Sequence, residues 1–199
     1  MGAHNEFERL IRQRAGESAN VSAALPADPD LVRTTAEVAF LLTVALRQGR
    51  RIFFFGNGGS AADAQHLAAE LVGRYRRERP GLPAIALTVN ASSLTAIGND
   101  YSFDSVFSRQ IEALGSAGDV AVAISTSGTS RNILAAVEAA KSKGLVTVGM
   151  TGRTGGQLRG IVEWCLCIPS DETPRIQECH ILIGHILCEI VETELFGAG

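Results

Sequence analysis

Apolar and polar positions along this chain follow two different periods. In two stretches, Asn5–Ala15 and Pro29–Gln48, apolar residues recur with the spacing of amphipathic helices. The turn-rich sequence LPADPD separates them, and Asp28 or Asp30 is positioned to cap the second helix. The pattern therefore predicts an N-terminal helical segment, residues 1–50, before the rest of the chain.

Beyond residue 50, short apolar runs alternate with helical segments. Buried strands are predicted at RIFFF (residues 51–55), Pro83–Thr88, Asp119–Ser125, Gly144–Met150 and Val162–Ile168. Helices are predicted from the glycine turn after RIFFF through Arg74, at Ser130–Lys143 and at Thr173–Phe196. Apolar strands that alternate with helices indicate a parallel sheet covered on both faces. We expect one α/β domain, residues 1–199, whose core spans residues 51–199.

The overall composition limits the kinds of ligand. The chain has 199 residues, 46% hydrophobic and 20% charged, as in ordinary globular domains. A net charge of −3 lacks the basic excess of nucleic-acid-binding proteins, so no nucleic acid partner is expected. The first residues carry acids and no apolar run, and no apolar stretch is long enough for a bilayer. We expect a cytoplasmic protein without a membrane partner.

Four cysteines occur, and two of them, Cys165 and Cys167, are two residues apart in an apolar run. Alternation along a strand would place both on one face. A C-x-C pair without a second pair is weak evidence for zinc. We therefore expect buried structural thiols.

The first polar cluster lies between RIFFF and the following helix. It consists of Gly56, Asn57, Gly58, Gly59 and Ser60. Glycine permits positive φ and close approach to the backbone, and a helix N-terminus offers free amides to an anion. The pattern is not G-x-G-x-x-G, and no acidic residue closes the next strand, which disfavours a dinucleotide. An anion site and a plain strand-to-helix turn fit this loop about equally well.

The second polar cluster also joins a strand to a helix. Its residues, Ser125 to Ser130, read STSGTS. An N-cap needs only one of these hydroxyls. Several hydroxyls around one glycine at the start of a helix favour phosphate binding. Because ligands of parallel sheets bind beyond the carboxyl ends of the strands, both clusters lie where a ligand is expected.

Two further positions suggest a metal or acid–base site. His66 and Glu70 are spaced i, i+4, which places them on one helical face and makes half of a metal site. Such a pair is also a common surface contact. His185 lies in the apolar terminal helix, and its spacing alone favours a core histidine.

Five sequence blocks, in order, resemble the phosphoheptose isomerases of the SIS (sugar isomerase) family. They are GNGGSAADAQHLAAEL, GRYRRERPGLPAIAL, IGNDYSFDSVFSRQ, AISTSGTS and RIQECHILIGHIL, within residues 30–196. The resemblance implies the SIS fold, a five-stranded parallel sheet flanked by helices, with the N-terminal helices serving assembly. It also implies a homotetramer that binds one zinc ion per subunit. The implied reaction is the conversion of sedoheptulose 7-phosphate to D-glycero-D-manno-heptose 7-phosphate, a step of heptose biosynthesis.

The resemblance carries roles to individual residues of this sequence. It implies that Glu70 is the catalytic base and His185 its acid/base partner. The implied metal ligands are His66, Glu70, Gln177 and His185. The implied substrate-binding residues are Asn57, Gly58, Gly59, Ser60, Glu70, Arg74, Asn99, Asp100, Ser125, Thr126, Ser127, Ser130 and Gln177. Pro174 departs from the pattern, because some members carry an acidic residue there, and this leaves open any sugar contact from that position.

Three alternatives stay open at this point. Glu70 and His185 could be metal ligands, proton carriers or both. The phosphate loops do not report the chain length of the sugar, so another sugar phosphate is possible. A non-catalytic SIS protein that binds a partner, such as the relative that associates with the bacterial replication initiator, shares the RIQE and LPAIAL blocks. The presence of both Glu70 and His185 favours an enzyme.

Distance along the terminal helix suggests a site shared between subunits. Gln177 and His185 are separated by roughly 12 Å of helix rise. Ligands of one zinc ion lie only about 2 Å from it. We therefore expect one of the two residues, more readily His185, to reach the site from a neighbouring chain.

Overall fold

The computed structural model describes residues 2–197. Helix α1 (Gly2–Ala24) is followed by a single 3-10 turn, Leu25–Ala27, and by helix α2 (Pro29–Arg47). Asp28 is the N-cap of α2, as predicted, because its Oδ1 accepts hydrogen bonds from the N–H groups of Asp30 and Leu31. Helix α1 is longer than the predicted stretch. Its second half contacts the terminal helix, where Arg175 lies 3.6 Å from Glu17.

The sheet has five parallel strands, as predicted. The strands are β1 (Ile52–Gly56), β2 (Ala84–Ala86), β3 (Val120–Ile124), β4 (Val146–Thr151) and β5 (Trp164–Cys167). Their order is β2-β1-β3-β4-β5, and every neighbouring pair is parallel. Since β1 and β3 are neighbours at the centre, the two polar clusters that follow them lie at adjacent strand ends.

Five more helices cover the sheet within residues 2–197. They are α3 (Gly59–Val72), α4 (Ala91–Asp100), α5 (Ser108–Leu114), α6 (Arg131–Ser142) and α7 (Thr173–Phe196). Helix α7 has the predicted bounds, whereas α3 ends at Val72, before Arg74. Sequence reasoning missed α4 and α5, because α4 has no buried residue that would create a periodic pattern. None of the helices in the described part of the chain is long and apolar enough to span a membrane.

Each face of the sheet has its own hydrophobic core. Side chains alternate along β1, so Ile52 and Phe54 pack with α2, α3 and α7, whereas Phe53 and Phe55 pack with α5 and α6. All five residues of β1 are buried. This two-sided burial explains why RIFFF reads as a continuous apolar run.

His180 of α7 is fully buried against β4. Its Nε2 lies 3.1 Å from the carbonyl oxygen of Thr151, to which it donates. Its Nδ1 has no hydrogen-bond partner among residues 2–197. Burial lowers the pKa of His180 from 6.5 to about 4, although the hydrogen bond to Thr151 opposes this shift. The imidazole is therefore neutral in the folded protein at neutral pH.

The low pKa of His180 predicts a loss of stability in mild acid. Between pH 6.5 and 4 the unfolded chain binds a proton at this position that the folded chain does not. The free energy of unfolding should therefore fall by up to about 3 kcal/mol over this range because of His180 alone. Urea unfolding at several pH values measures this. His180→Gln should flatten the profile, and the exposed variant His4→Gln should leave it unchanged. Parallel pH profiles of the free energy of unfolding for wild type and His180→Gln would contradict the low pKa of His180.

Candidate active site

A pair of asparagines joins the two polar clusters. The side-chain amides of Asn57 and Asn132 exchange two hydrogen bonds, of 2.9 and 2.8 Å. Asn132 lies in the first turn of α6 and is buried. Sequence reasoning missed it, although it lies only two residues beyond the end of the STSGTS cluster. The reciprocal bonds hold the start of α6 next to the loop that follows β1.

The glycine cluster makes a tight turn into α3. Gly58 has φ of +54°, which only glycine adopts without strain. Gly56 packs against Ser60, where an added Cβ would lie 2.7 Å from the Ser60 Cβ. Ser60 itself is 3% exposed and is buried within the turn. Gly59 lies directly against the amide of Gln177 from α7.

The second cluster keeps several hydroxyls near the start of α6. Ser130 is the N-cap residue, yet its hydroxyl makes no capping bond with the residues that the structure describes. It lies 3.4 Å from the Ser125 hydroxyl instead. Ser127 is exposed and accepts hydrogen bonds from the N–H and the hydroxyl of Thr129. The hydroxyls are therefore not used up by helix capping, which fits an anion site better than a simple cap.

The loop after β4 supports this cluster from behind. Gly128 has φ of +64° and packs directly against the carbonyl of Gly155. The N–H of Leu158 donates to the Gly128 carbonyl, and the N–H of Gly152 donates to the Thr126 carbonyl. These backbone contacts fix the path of the loop that carries the hydroxyls.

His66, Glu70 and His185 form a cluster of possible metal ligands. The Nε2 atoms of His66 and His185 are 2.8 Å apart, and the His66 Nε2 is 3.2 Å from a Glu70 carboxylate oxygen. One ligand atom from each residue lies within 4.8 Å of the others. Because zinc binds such ligands at about 2.0–2.2 Å in a tetrahedron, these separations fit one ion with an open position.

The packing of α3 against α7 creates the cluster. The two helices run side by side, so that Gly59 meets Gln177 and Leu67 meets Gly184. A Cβ at position 184 would lie 2.5 Å from the Leu67 Cδ2. The missing side chain of Gly184 therefore permits the close approach that brings His185 to His66.

This arrangement corrects the expectation that His185 reaches the site from a neighbouring chain. His185 meets His66 and Glu70 of its own chain. It is not an isolated core histidine either, since its side chain is only half-buried. Gln177 lies about two turns earlier on α7, beside Gly59. The roughly 12 Å of helix rise between the two residues separates Gln177 from the cluster and does not exclude His185.

Tyr75 adds an aromatic wall to the cluster. Its ring stacks on that of His185, with centroids 5.8 Å apart and planes at 27°. The segment that carries Tyr75 is held by a buried ion pair between Arg79 and Glu192, which are 1% and 2% exposed. The Glu192 carboxylate also accepts hydrogen bonds from the N–H groups of Tyr75 and Arg76. Burial opposes ionisation, but these bonds and Arg79 outweigh it and lower the pKa of Glu192.

Asp63 is a second residue that sequence reasoning missed. It lies on α3, one turn before His66, and its Oδ2 has no hydrogen-bond partner within residues 2–197. Burial raises the pKa of Asp63 to about 6, although His66 opposes the shift. The i, i+3 spacing from His66 was the available signal.

Three predicted substrate residues lie on the surface. Asn99 and Asp100 end α4, and their side chains hydrogen-bond to each other at 2.8 Å. Asp104, just beyond them, pairs with Arg131 at the start of α6. Arg74 is exposed and lies 3.9 Å from Glu78.

The sheet order and the two polar clusters at adjacent strand ends place the chain in a known class. Residues 30–152 match the family described as SIS domain, so the chain is a SIS-domain protein. The phosphoheptose isomerase of Sulfurimonas denitrificans is 50% identical over 193 residues, which cover 97% of this chain and 99% of that protein. The phosphoheptose isomerase of Geobacter metallireducens is 56% identical over 167 residues, 84% of this chain and 88% of that protein.

Solved structures agree with these relatives. The phosphoheptose isomerase of Neisseria gonorrhoeae has a TM-score of 0.88 at 42% identity, covering 94% of this chain and 99% of that one. That of Francisella tularensis has a TM-score of 0.85 at 35% identity, covering 97% and 100%. Within the SIS class, the chain belongs to the phosphoheptose isomerase family.

The packing of Gly128 predicts that the hydroxyl-bearing loop does not tolerate a side chain at this position. Gly128→Ala would combine a strained φ with a clash against the Gly155 carbonyl. We expect the free energy of unfolding to fall by about 1–3 kcal/mol. Gly160→Ala is the matched control, because its added Cβ meets no described atom within 4 Å. Urea unfolding compares the two, and equal effects would contradict the tight backbone packing.

Proposed function

We propose that this chain converts sedoheptulose 7-phosphate to D-glycero-D-manno-heptose 7-phosphate through an enediol, as a cytoplasmic step of heptose biosynthesis. The observation that carries the proposal is the cluster in which His66 and Glu70, on the helix that follows the glycine loop, meet His185 of α7. A carboxylate and imidazoles beside an anion site are the groups that a ketose–aldose isomerisation of a sugar phosphate requires. The names of the relatives support the same reaction.

Proton transfer is assigned to two of these residues. The reaction moves a proton between two adjacent carbons, and the carbonyl oxygen gains a proton as the enediol forms. Glu70 removes the proton from the carbon that bears the hydroxyl and returns it to the neighbouring carbon. His185 exchanges a proton with the oxygens. Its stacking on Tyr75 holds the imidazole plane in place for this exchange.

The phosphate is assigned to the opposite end of the site. The N-terminus of α3 and the hydroxyls of Ser125, Thr126, Ser127 and Ser130 provide donors to its oxygens. From Gly59 to His66, α3 rises by roughly 10 Å, a span suited to an extended seven-carbon sugar phosphate. The remaining assigned contacts to the sugar come from Asn57, Gly58, Gly59, Ser60, Arg74, Asn99, Asp100 and Gln177.

One zinc ion per subunit is part of the proposal. His66, Glu70 and His185 provide two imidazole nitrogens and a carboxylate, a donor set that suits zinc. Gln177, the remaining assigned ligand, would reach the ion from a neighbouring subunit, because the Gln177 of the same chain lies against Gly59. A bound ion would act as a Lewis acid on the substrate oxygens. Glu70 is then assigned both as the catalytic base and as a zinc ligand. Measurements on metal-free protein distinguish these two roles.

Assembly as a homotetramer is also proposed. Apolar side chains lie exposed on three helices of the described chain. They include Phe7 and Ile11 on α1, Val32 and Phe40 on α2, and Leu182 and Ile186 on α7. Exposed apolar surface of this extent is typical of subunit contacts. Helices α1 and α2 therefore serve assembly in this proposal, with the active sites close to the subunit interfaces.

Turnover should depend on the carboxylate of Glu70. Glu70→Gln keeps the size of the side chain but removes the base, and kcat for sedoheptulose 7-phosphate should fall by about a hundredfold or more. Glu138→Gln, on the exposed face of α6, is the control and should keep full activity. The assay should include five- and six-carbon ketose phosphates. Near-normal turnover of Glu70→Gln would exclude Glu70 as the catalytic base. A preference for a shorter sugar would exclude sedoheptulose 7-phosphate as the substrate.

Zinc binding should depend on the same cluster, independently of activity. Metal-free protein should bind one zinc ion per chain in equilibrium dialysis. His66→Ala removes one imidazole ligand and should weaken binding by at least about a hundredfold. His4→Ala, an exposed histidine on α1, should have no effect. Equal affinity of the wild type and His66→Ala would place the ion elsewhere.

A further inference from the structure

Two cysteines lie together on the edge strand of the sheet. The Sγ atoms of Cys165 and Cys167 on β5 are 3.6 Å apart. The sequence suggested buried structural thiols, but both side chains are only half-buried. They line an open cavity of about 310 Å³ together with Arg153 and Arg159. A small molecule can therefore reach this pair of thiols.

The surroundings make the two sulfurs unequal. The hydrogen bond with Cys165, a second one donated by the Thr151 hydroxyl at 3.3 Å, and the charge of Arg159 lower the pKa of Cys167 to about 6. Burial and the charge of Asp28 oppose the shift. The same hydrogen bond raises the pKa of Cys165, and burial adds to the effect. The lowered pKa of Cys167 suits an attacking cysteine, and the raised pKa of Cys165 suits a resolving cysteine.

A bond between the two sulfurs requires a local bend of β5. Residues two apart on a strand have Cα atoms about 6.6 Å apart, at the upper end of the range that disulfides span. Within residues 2–197, β5 is an edge strand that pairs with β4 alone, so this bend disturbs one ladder. The other two cysteines differ, since Cys179 and Cys188 are buried in α7 and burial raises the pKa of each.

We propose that Cys165 and Cys167 form a thiol–disulfide exchange site for small disulfides that carry carboxylates, such as glutathione disulfide. The Cys167 thiolate attacks one sulfur of the reagent, forms a mixed disulfide and releases one thiolate. Cys165 then loses its proton to water, and its sulfur attacks Cys167 and displaces the second thiolate. Two protein thiols are oxidised to one disulfide, and one reagent disulfide is reduced to two thiols. Arg159, which has no ion pair among residues 2–197, attracts a carboxylate of the reagent, whereas Arg153 is paired with Asp171 and the cavity is also lined by Asp28 and Asp30.

The test uses the reduced, full-length protein and glutathione disulfide at neutral pH. Two molecules of glutathione should be released per chain, the protein should lose two hydrogens in mass, and peptide mapping should locate a Cys165–Cys167 bond. Cys165→Ser should stop at a mixed disulfide on Cys167, with one glutathione released. Cys167→Ser should slow the first release by at least about fivefold. The double variant Cys179→Ser, Cys188→Ser is the matched control and should behave as wild type.

The wild-type stoichiometry decides the outcome even if a variant folds poorly. A wild-type chain that stays reduced in excess glutathione disulfide would overturn the proposal. So would a mixed disulfide that persists without a second release, or oxidation that maps to Cys179 or Cys188. Because sugar isomerisation is not the readout, the result is independent of the proposed reaction.

Discussion

The close packing of α3 against α7 is the constraint on which the candidate site depends. Gly59 lies against Gln177 at one end of the contact, and Gly184 lies against Leu67 further along. Both glycines allow the helix axes to approach where a side chain would hold them apart. Without this approach, His66 and Glu70 on α3 would not meet His185 on α7, and the two halves of the cluster would be separate surface features.

A second contact secures the same pair of helices beyond the cluster. Arg79 donates to the carbonyls of Glu70, Leu71 and Gly73 at the end of α3, and it pairs with Glu192 of α7. Removing one partner of such a buried pair leaves an uncompensated charge, at a cost of about 3–5 kcal/mol. The pair therefore fixes the end of α3 and, through the backbone of Tyr75, the ring that stacks on His185.

The sheet supplies the other half of the site. Strands β1 and β3 are neighbours, so the glycine loop and the hydroxyl-bearing loop share one edge, joined by Asn57 and Asn132. The loop after β4 supports the hydroxyl-bearing loop, because the Gly155 carbonyl packs against Gly128. That same loop carries Arg153 and Arg159 to the dithiol of β5. The loop after β4 therefore links the hydroxyl-bearing loop to the dithiol.

The sequence alone determined the five-stranded parallel sheet and the bounds of α7, because two-sided burial and helical periodicity leave direct patterns. It also identified the family and the loops at the strand ends. It could not predict α4, whose side chains bury too little surface to create a pattern. The contacts of Asn132 and Asp63 were missed, because they depend on what lies opposite each residue. Only the tertiary structure decided that His185 meets Glu70 within one chain, and that Cys165 and Cys167 face a cavity. Spacing along one helix measures distances within that helix, whereas the separation between residues of different elements is decided by how those elements pack.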